Sequence, residues 1–198
     1  LEPVQGEGGV HPLAPEALAA ARALADEHGA LLILDEVQTG VGRSGSFFAW
    51  QELGTKPDAV TLAKGLANGL PVGALLVSDE APTGFEPGDH ASTFGGNPVA
   101  CAAGCGVLDT IDAGLLAHVR EVSAQLADGL AAFGEVRGLG LLLAVELDRP
   151  AAAVVEAALA HGLVIGSAGA STLRLTPPLT LTADEAALGL RLLGEVLA

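Results

Sequence analysis

The chain has 198 residues, half of them hydrophobic, and a formal net charge of −15 from 24 acidic and 9 basic side chains. Nine cations cannot readily form the basic surface that nucleic-acid phosphates need, which argues against nucleic-acid binding. No apolar run reaches the ~18 residues of a membrane span, and no charged-then-apolar leader opens the chain. We therefore expect a cytoplasmic protein that binds neither nucleic acid nor membrane.

Alternating helices and strands are predicted over the first part of the chain. Residues 15–28 have apolar side chains at helical spacing, with Pro15 in the first turn and Gly29 as the stop signal. Short strands are predicted at residues 31–34, 59–63 and 74–78, the first of them buried on both faces. This alternation is typical of an α/β sheet with both faces covered.

The pattern changes after residue 97, where long helices and then a mixture of strands and helices are predicted. We place a domain boundary near residue 112, with an α+β unit over residues 113–198. Helices are predicted at residues 98–112, 115–133, 151–162 and 183–198, and strands at residues 138–147, 163–166 and 172–176.

Composition supports three further expectations. Cys101 and Cys105 lie four residues apart in a helix-like run, and we expect two small buried side chains rather than a disulfide or metal pair. The five histidines show no ligand spacing, so no metal site is expected. The chain has no methionine and opens on residues typical of the end of a strand, so we expect part of a longer protein.

Two charged residues follow predicted strands, at the positions where open α/β sheets bind ligands. Asp35 ends the strand at residues 31–34; alternatively it caps a helix or pairs with Arg43. Lys64 follows the strand at residues 59–63. Partial burial would favour its neutral amine, a nucleophile toward carbonyl groups, whereas the alternative is a lysine that extends from a helix start to solvent.

An aspartate and a lysine in these positions together favour pyridoxal phosphate as the cofactor. A lysine amine can bind its aldehyde covalently, and a buried carboxylate can keep its ring nitrogen protonated through a charge-assisted hydrogen bond. The combination predicts an enzyme, with Asp35 and Lys64 as its catalytic residues.

Five motifs in order resemble the class III aminotransferases of the pyridoxal-phosphate fold type I group: EPVQGEGGV, LDEVQTGVGRSG, TLAKGLANGLPVGA, HASTFGGNPVACAA and LRLTPPL. The resemblance covers essentially the whole chain. It implies that residues 1–112 are the later part of the cofactor-binding large domain, a mostly parallel sheet with helices. Residues 113–198 would then be the α+β small domain.

The resemblance also implies roles for single residues in cofactor binding. Asp35 would pair with the pyridine nitrogen, Val37 would pack on the ring, and Gln38 would lie near the ring hydroxyl. Lys64 would bind the cofactor covalently and move the substrate proton. Thr93 would reach the cofactor phosphate of the neighbouring subunit, which implies a homodimer with shared active sites.

Three further residues are implied in substrate binding. Arg174 would clamp a substrate carboxylate, a role that suits the planar guanidinium, and Ser92 would lie near the substrate. Glu7 would pair with Arg174 when the amino donor has no carboxylate at that subsite, and would release it when glutamate binds.

The activity implied is transfer of the δ-amino group of N-acetylornithine to 2-oxoglutarate, in arginine biosynthesis. Ornithine, 4-aminobutyrate or succinyl-ornithine are alternative donors, and a truncated, non-catalytic binding or dimerisation homologue is the alternative outside enzymes. The family's phosphate-binding loop and its ring-stacking aromatic residue are not found in this sequence. We therefore expect the chain to be a C-terminal half that has little activity alone.

Overall fold

The computed structural model describes residues 1–81 and 84–198, which cluster into two compact units. The first unit comprises Leu1–Pro3, Leu13–Val41 and Ser46–Asp112, and the second comprises Val4–Pro12, Gly42–Gly45 and Ala113–Ala198. Two short segments from the first part of the chain thus belong to the second unit, where the division at residue 112 did not place them.

The first half of the chain contains a strand pair followed by alternating helices and strands. The elements in order are β1 (Val4–Gln5), β2 (His11–Pro12), α1 (Pro15–His28), β3 (Ile33–Asp35), α2 (Ala49–Leu53), β4 (Ala59–Leu62), a 3₁₀ helix (Lys64–Ala67), β5 (Ala74–Val77) and α3 (Pro98–Thr110).

The second half begins with a long helix and ends with another. Its elements are α4 (Ala113–Leu130), β6 (Glu135–Leu139), β7 (Leu142–Glu146), α5 (Ala151–Ala160), β8 (Gly166–Ser167), β9 (Thr172–Leu175) and α6 (Ala183–Leu197). Among the described residues no single helix has the length and apolar character to cross a membrane, although α3 and α4 taken together meet that test by length and composition.

The sheet of the first unit has the order β3-β4-β5, with β3 parallel to β4 and β4 antiparallel to β5. Helix α1 begins at Pro15 and is capped by Gly29 in the left-handed conformation at φ 62°, as predicted. Its Leu18 is buried in a cluster with Leu32, Leu34 and Val60.

The strand at residues 31–34 was expected to be buried on both faces, and this prediction is wrong for the chain described. Leu32 and Leu34 are buried, whereas Leu31 and Ile33 are exposed. Side chains alternate between the faces of a strand, and within the described residues only one face is covered. Cys101 and Cys105, expected to be buried, are both exposed free thiols on α3.

The second unit contains an antiparallel sheet of order β6-β7-β9-β8. Its large apolar core joins β7 and β9 to α4, α5 and α6. On the other face of β7, Leu142 and Ala144 form a smaller buried cluster with Val4 and Val10 from the first residues of the chain. Burial on both faces explains the unbroken apolar run in β7.

The single strand predicted at residues 138–147 is instead two strands, β6 and β7, paired as a hairpin. Gly140 lies between them at φ 57°, and a Cβ atom there would lie 2.3 Å from the carbonyl oxygen of Arg43. Leu141 N donates to that oxygen at 2.9 Å, and the Arg43 guanidinium donates to the carbonyl of Leu141. These contacts attach the segment Gly42–Gly45 to the hairpin.

Candidate active site

Asp35 is the last residue of β3, and its side chain is exposed rather than buried as expected. Its Oδ1 atom accepts hydrogen bonds from the backbone N of Val37 at 3.0 Å and from the hydroxyl of Thr61 at 3.2 Å. Because Thr61 is the partner of Asp35 in the parallel β3–β4 pair, the carboxylate is oriented from the neighbouring strand. The alternative pair with Arg43 finds no support, since that guanidinium donates to the carbonyls of Leu141 and Pro177.

Lys64 lies just beyond the end of β4 and begins the 3₁₀ helix Lys64–Ala67. Its side chain is exposed, so the expected partial burial is wrong for the described chain. Its backbone has φ 44°, in the left-handed region that non-glycine residues rarely adopt. Strain of this kind persists only where surrounding contacts fix the backbone, and it is common at functional sites.

Parallel pairing of β3 and β4 brings the carboxyl ends of both strands to one edge of the sheet. Asp35 ends the first strand and Lys64 follows the second, as the sequence predicted. Val37 and Gln38, both half-buried, follow Asp35 in the turn that leaves this edge.

Ser92 and Thr93 are exposed in the segment before α3. The Ser92 hydroxyl accepts a hydrogen bond from Gly95 N at 2.9 Å, and Asn97 caps α3 by accepting from Ala100 N at 2.9 Å. These bonds define the turn that presents Thr93, while the proposed contact of Thr93 with a neighbouring subunit stays a prediction.

Arg174 lies on β9 of the second unit and forms the predicted ion pair with Glu7. Its Nη1 donates to Oε1 of Glu7 at 2.7 Å and to the carbonyl of Gly6 at 3.3 Å. The Arg174 side chain is 21% exposed, whereas that of Glu7 is 70% exposed. An ion pair this open to solvent contributes little to stability and can be exchanged at low cost.

The sequence reasoning missed a second arginine that holds the same segment. Arg137 on β6 donates to the carbonyl of Gly9 at 2.7 Å, to Glu146 at 2.8 Å and to the Thr172 hydroxyl at 3.0 Å. Glu146 also accepts hydrogen bonds from the hydroxyls of Ser171 and Thr172. These hydroxyl bonds and the Arg137 guanidinium lower the pKa of Glu146 to about 2. No local pattern indicates these contacts, because 128 residues separate Arg137 from Gly9.

Glu36, which the sequence left without a role, points the opposite way from Asp35 and is 1% exposed. Its carboxylate accepts hydrogen bonds from Ala49 N at 2.7 Å, Trp50 N at 2.9 Å and the Thr39 hydroxyl at 3.0 Å. Burial raises the pKa of this carboxyl, and the three hydrogen bonds oppose that shift. The clue in the sequence was the start of α2, where Phe48 has no side chain able to cap the helix.

The side chains at this sheet edge fit pyridoxal phosphate. An accessible amine can bind the aldehyde, and a carboxylate oriented by two donors can bind a protonated ring nitrogen. Val37 and Gln38 provide an apolar and an amide side chain in the adjacent turn. Within residues 1–81 and 84–198, no group of three or more His, Cys, Asp or Glu side chains is placed to hold a metal ion.

Comparisons with known proteins identify the family. A family model described as aminotransferase class-III matches residues 1–197. Acetylornithine aminotransferase from Corynebacterium efficiens is 50% identical over 202 residues, a match that covers 100% of this chain and 50% of that protein. The enzyme of the same name from Neisseria meningitidis is 46% identical over 209 residues, covering 100% of this chain and 53% of that protein.

Solved structures show the same fold. N-acetylornithine aminotransferase from Stenotrophomonas maltophilia has a TM-score of 0.88 at 39% identity, covering 99% of this chain and 54% of its own. Ornithine aminotransferase from Toxoplasma gondii has a TM-score of 0.92 at 33% identity, covering 100% of this chain and 49% of its own. The Toxoplasma structure has pyridoxal phosphate at partial occupancy in its active site.

The fold is that of the fold type I pyridoxal-phosphate aminotransferases. Within that class, the chain belongs to the class III aminotransferase family, whose cofactor is pyridoxal phosphate. The chain spans about half the length of the curated relatives it matches.

Proposed function

We propose that the chain provides the lysine-bearing part of a transaminase that transfers the δ-amino group of N-acetylornithine to 2-oxoglutarate, in arginine biosynthesis. The observation that carries the proposal is the common sheet edge of Asp35 and Lys64, in a chain 50% identical to an acetylornithine aminotransferase. The products would be glutamate and the corresponding semialdehyde.

The chain's own residues divide the work at the cofactor. Pyridoxal phosphate, when bound, supplies an electron sink for the substrate's bonding electrons. Lys64 would hold its aldehyde and carry the proton between substrate and cofactor, and Asp35 would keep the ring nitrogen protonated. Val37 would pack on the ring and Gln38 would contact the ring hydroxyl. Thr93 would reach the cofactor phosphate of the second subunit in a cytoplasmic homodimer.

The substrate carboxylate is assigned to Arg174, with Ser92 near the substrate. Glu7 would neutralise Arg174 when N-acetylornithine presents no carboxylate there, and would give way when 2-oxoglutarate does. The 2.7 Å ion pair and the high exposure of Glu7 support this exchange, because a solvent-exposed carboxylate loses little on leaving. One subsite could then accept two dissimilar substrates.

Ornithine is a second candidate donor, favoured by the TM-score of 0.92 with the Toxoplasma ornithine aminotransferase. Both donors present a terminal amine and would use the same lysine. They differ in the group at the other end of the molecule, which the assigned residues do not distinguish.

A chimera tests the proposal directly. The 198-residue chain would replace the matching half of the Corynebacterium relative, and glutamate formation from 2-oxoglutarate would be measured with N-acetylornithine, ornithine and 4-aminobutyrate. We expect N-acetylornithine to give the highest kcat/KM. A higher kcat/KM with ornithine or 4-aminobutyrate would refute the substrate assignment. The mechanism would be refuted if the Lys64→Ala chimera were as active as the Lys56→Ala control.

A further inference from the structure

The buried carboxylate of Glu36 connects two parts of the first unit that are distant in sequence. Its Oε2 accepts from Ala49 N and from the Thr39 hydroxyl, and its Oε1 accepts from Trp50 N. Three donors on two oxygens suit a carboxylate, whereas a glutamine has one acceptor oxygen and would lose part of this set. Glu36 therefore ties the start of α2 to the turn that follows Asp35.

That turn is tightly packed around the Glu36 backbone. Gly40 N donates to the Glu36 carbonyl at 2.9 Å, and Glu36 N donates to the Thr61 carbonyl at 3.0 Å. A Cβ atom at Gly40 would lie 2.7 Å from the Leu62 side chain and 2.9 Å from the Glu36 carbonyl oxygen. The hydrogen bond from Gly40 N therefore couples the position of the Glu36 backbone to that of the turn, and the site has room only for glycine.

The turn continues through Val41, whose backbone is strained and whose Cβ atom lies near the 3₁₀ helix that begins at Lys64. Val41 has φ 58°, an unfavourable left-handed conformation for a β-branched residue, and is buried. Its Cβ lies 3.8 Å from the position that a Cβ on Gly65 would take. Lys64, the residue before Gly65, is itself strained at φ 44°. Two residues with unfavourable left-handed backbones thus lie in neighbouring segments.

We propose that Glu36 is a positioning residue for Lys64. Its carboxylate fixes the turn at residues 37–41, and Val41 in that turn supports the 3₁₀ helix that begins at Lys64. The same hydrogen bonds fix the backbone that follows Asp35. One buried acid would thus position both Asp35 and Lys64 at their common edge of the sheet. What Lys64 does at that edge rests on the proposed function, but its positioning by Glu36 does not.

Hydrogen exchange of backbone amides in the 198-residue chain tests the positioning without cofactor. In Glu36→Gln, we expect exchange about tenfold faster than in the unchanged chain at residues 49–53 and also at residues 62–68, relative to α6 of the second unit, since one hydrogen bond to a charged group is lost. Thr39→Val removes a single donor to Glu36, and about threefold is expected at the same segments.

Asp58→Asn is the matched control. Its carboxylate accepts from Leu32 N at 2.7 Å and from Arg22 at 2.6 Å, before β4 rather than after it. We expect this variant to leave the exchange ratio of residues 62–68 to α6 unchanged. If exchange in Glu36→Gln were faster at residues 49–53 alone, Glu36 would act only as a cap of helix α2, and the proposal would be overturned. The proposal would also be overturned if Asp58→Asn accelerated exchange at residues 62–68 as much as Glu36→Gln does, because the effect would then be general destabilisation of the first unit.

Chemical labelling provides a second readout that separates this inference from the proposed function. The chain would be treated with pyridoxal phosphate and borohydride, and the labelling of Lys64 would be compared with that of Lys56, the other lysine of the chain. We expect a preference for Lys64 that falls several-fold in Glu36→Gln. Equal labelling of both lysines in the unchanged chain would count against the proposed function, while the exchange experiment would still decide the role of Glu36.

Discussion

Two adjacent acids, Asp35 and Glu36, have opposite environments because side chains alternate along an extended backbone. Asp35 is exposed at the sheet edge, where its orientation by Val37 N and Thr61 prepares it to receive a ligand. Glu36 is buried and fully engaged with protein donors. Asp35 is therefore accessible to a ligand, whereas Glu36 stabilises the backbone around it.

Lys64 allows a test that separates chemistry from backbone strain. Lys64→Ala and Lys64→Gly should both remove the labelled site at residue 64 and abolish turnover in the chimera. Because glycine adopts φ 44° without steric cost, we expect Lys64→Gly to be more stable than Lys64→Ala by about 0.5–1 kcal/mol. Urea unfolding followed by the fluorescence of Trp50, the only tryptophan, measures the difference. Equal stabilities would mean that the lysine backbone is not strained.

Glu7 should control the affinity of Arg174 for dicarboxylates. Glu7→Gln removes the competing charge, so we expect the KM for 2-oxoglutarate in the chimera to fall about twofold to tenfold, with stability changed by less than about 0.5 kcal/mol. Arg174→Lys is the control and should raise that KM, since an ammonium cannot bind a carboxylate through two parallel hydrogen bonds. An unchanged KM for 2-oxoglutarate in Glu7→Gln would show that the Glu7–Arg174 ion pair has no role in substrate binding.

Among the elements, the longer helices were predicted closely, whereas the short helix α2, the 3₁₀ helix and the hairpin were not predicted. Helix α1 was correct at both ends, because Pro15 and Gly29 are local signals read within one turn. Strand boundaries and burial were less accurate, since a strand such as β3 is defined by its neighbours rather than by its own residues. The apolar run around Gly140 could not show that the chain reverses there, because the turn is fixed by the Arg43 backbone.

Glycines at close backbone approaches give a prediction for the β6–β7 hairpin. A Cβ atom at Gly134 would lie 1.9 Å from the Glu146 carbonyl oxygen, whereas Gly106 in α3 has open space. We expect Gly134→Ala to lower the free energy of unfolding by about 2–3 kcal/mol, as overpacking does. Gly106→Ala should raise it by about 0.5–1 kcal/mol through helix propensity. Urea titrations compare the two, and a neutral Gly134→Ala would show that the hairpin can adjust.

Glu146 makes the second unit sensitive to acid. Its pKa falls from an ordinary 4.5 to about 2 on folding, so its contribution to stability is complete above pH 4.5 and is lost as the pH falls toward 2. With its side chain 35% exposed, we expect a loss of about 1–2 kcal/mol after screening. The urea midpoint measured from pH 6 to pH 2 should fall less steeply in Glu146→Gln than in Glu135→Gln. Parallel curves would contradict this assignment.

At the scale of the whole molecule, the sequence predicted that Asp35 and Lys64 share one edge of the sheet, but not the network of contacts around them. Asp35 and Lys64 were found because each follows an apolar strand, and parallel strands bring such positions together. Arg137 and Glu36 act through contacts with Gly9 and with α2, which depend on the complete fold. Exposure was also mispredicted, because none of the residues that the structure describes covers the sheet face bearing Leu31 and Ile33.

The exposure of the cofactor edge predicts how the chain behaves alone. Asp35, Lys64 and Thr93 are all exposed, and the chain spans about half the length of its relatives. We expect the isolated 198 residues to show little or no transaminase activity, whereas the chimera is active. Absorbance titration with pyridoxal phosphate and a glutamate assay on both proteins check this. Turnover by the isolated chain equal to that of the chimera would refute it.

The chain passes between its two units five times, after residues 3, 12, 41, 45 and 112. A protease cut between residues 112 and 113 therefore cannot release the second unit intact, since Val4, Val10 and Arg43 would remain on the other fragment. Residues 113–198 expressed alone would expose Leu142 and Ala144, and would need a peptide covering residues 4–45 added in trans. A fusion protein that contains only the C-terminal 86 residues of this chain would therefore have an incomplete hydrophobic core in its second unit.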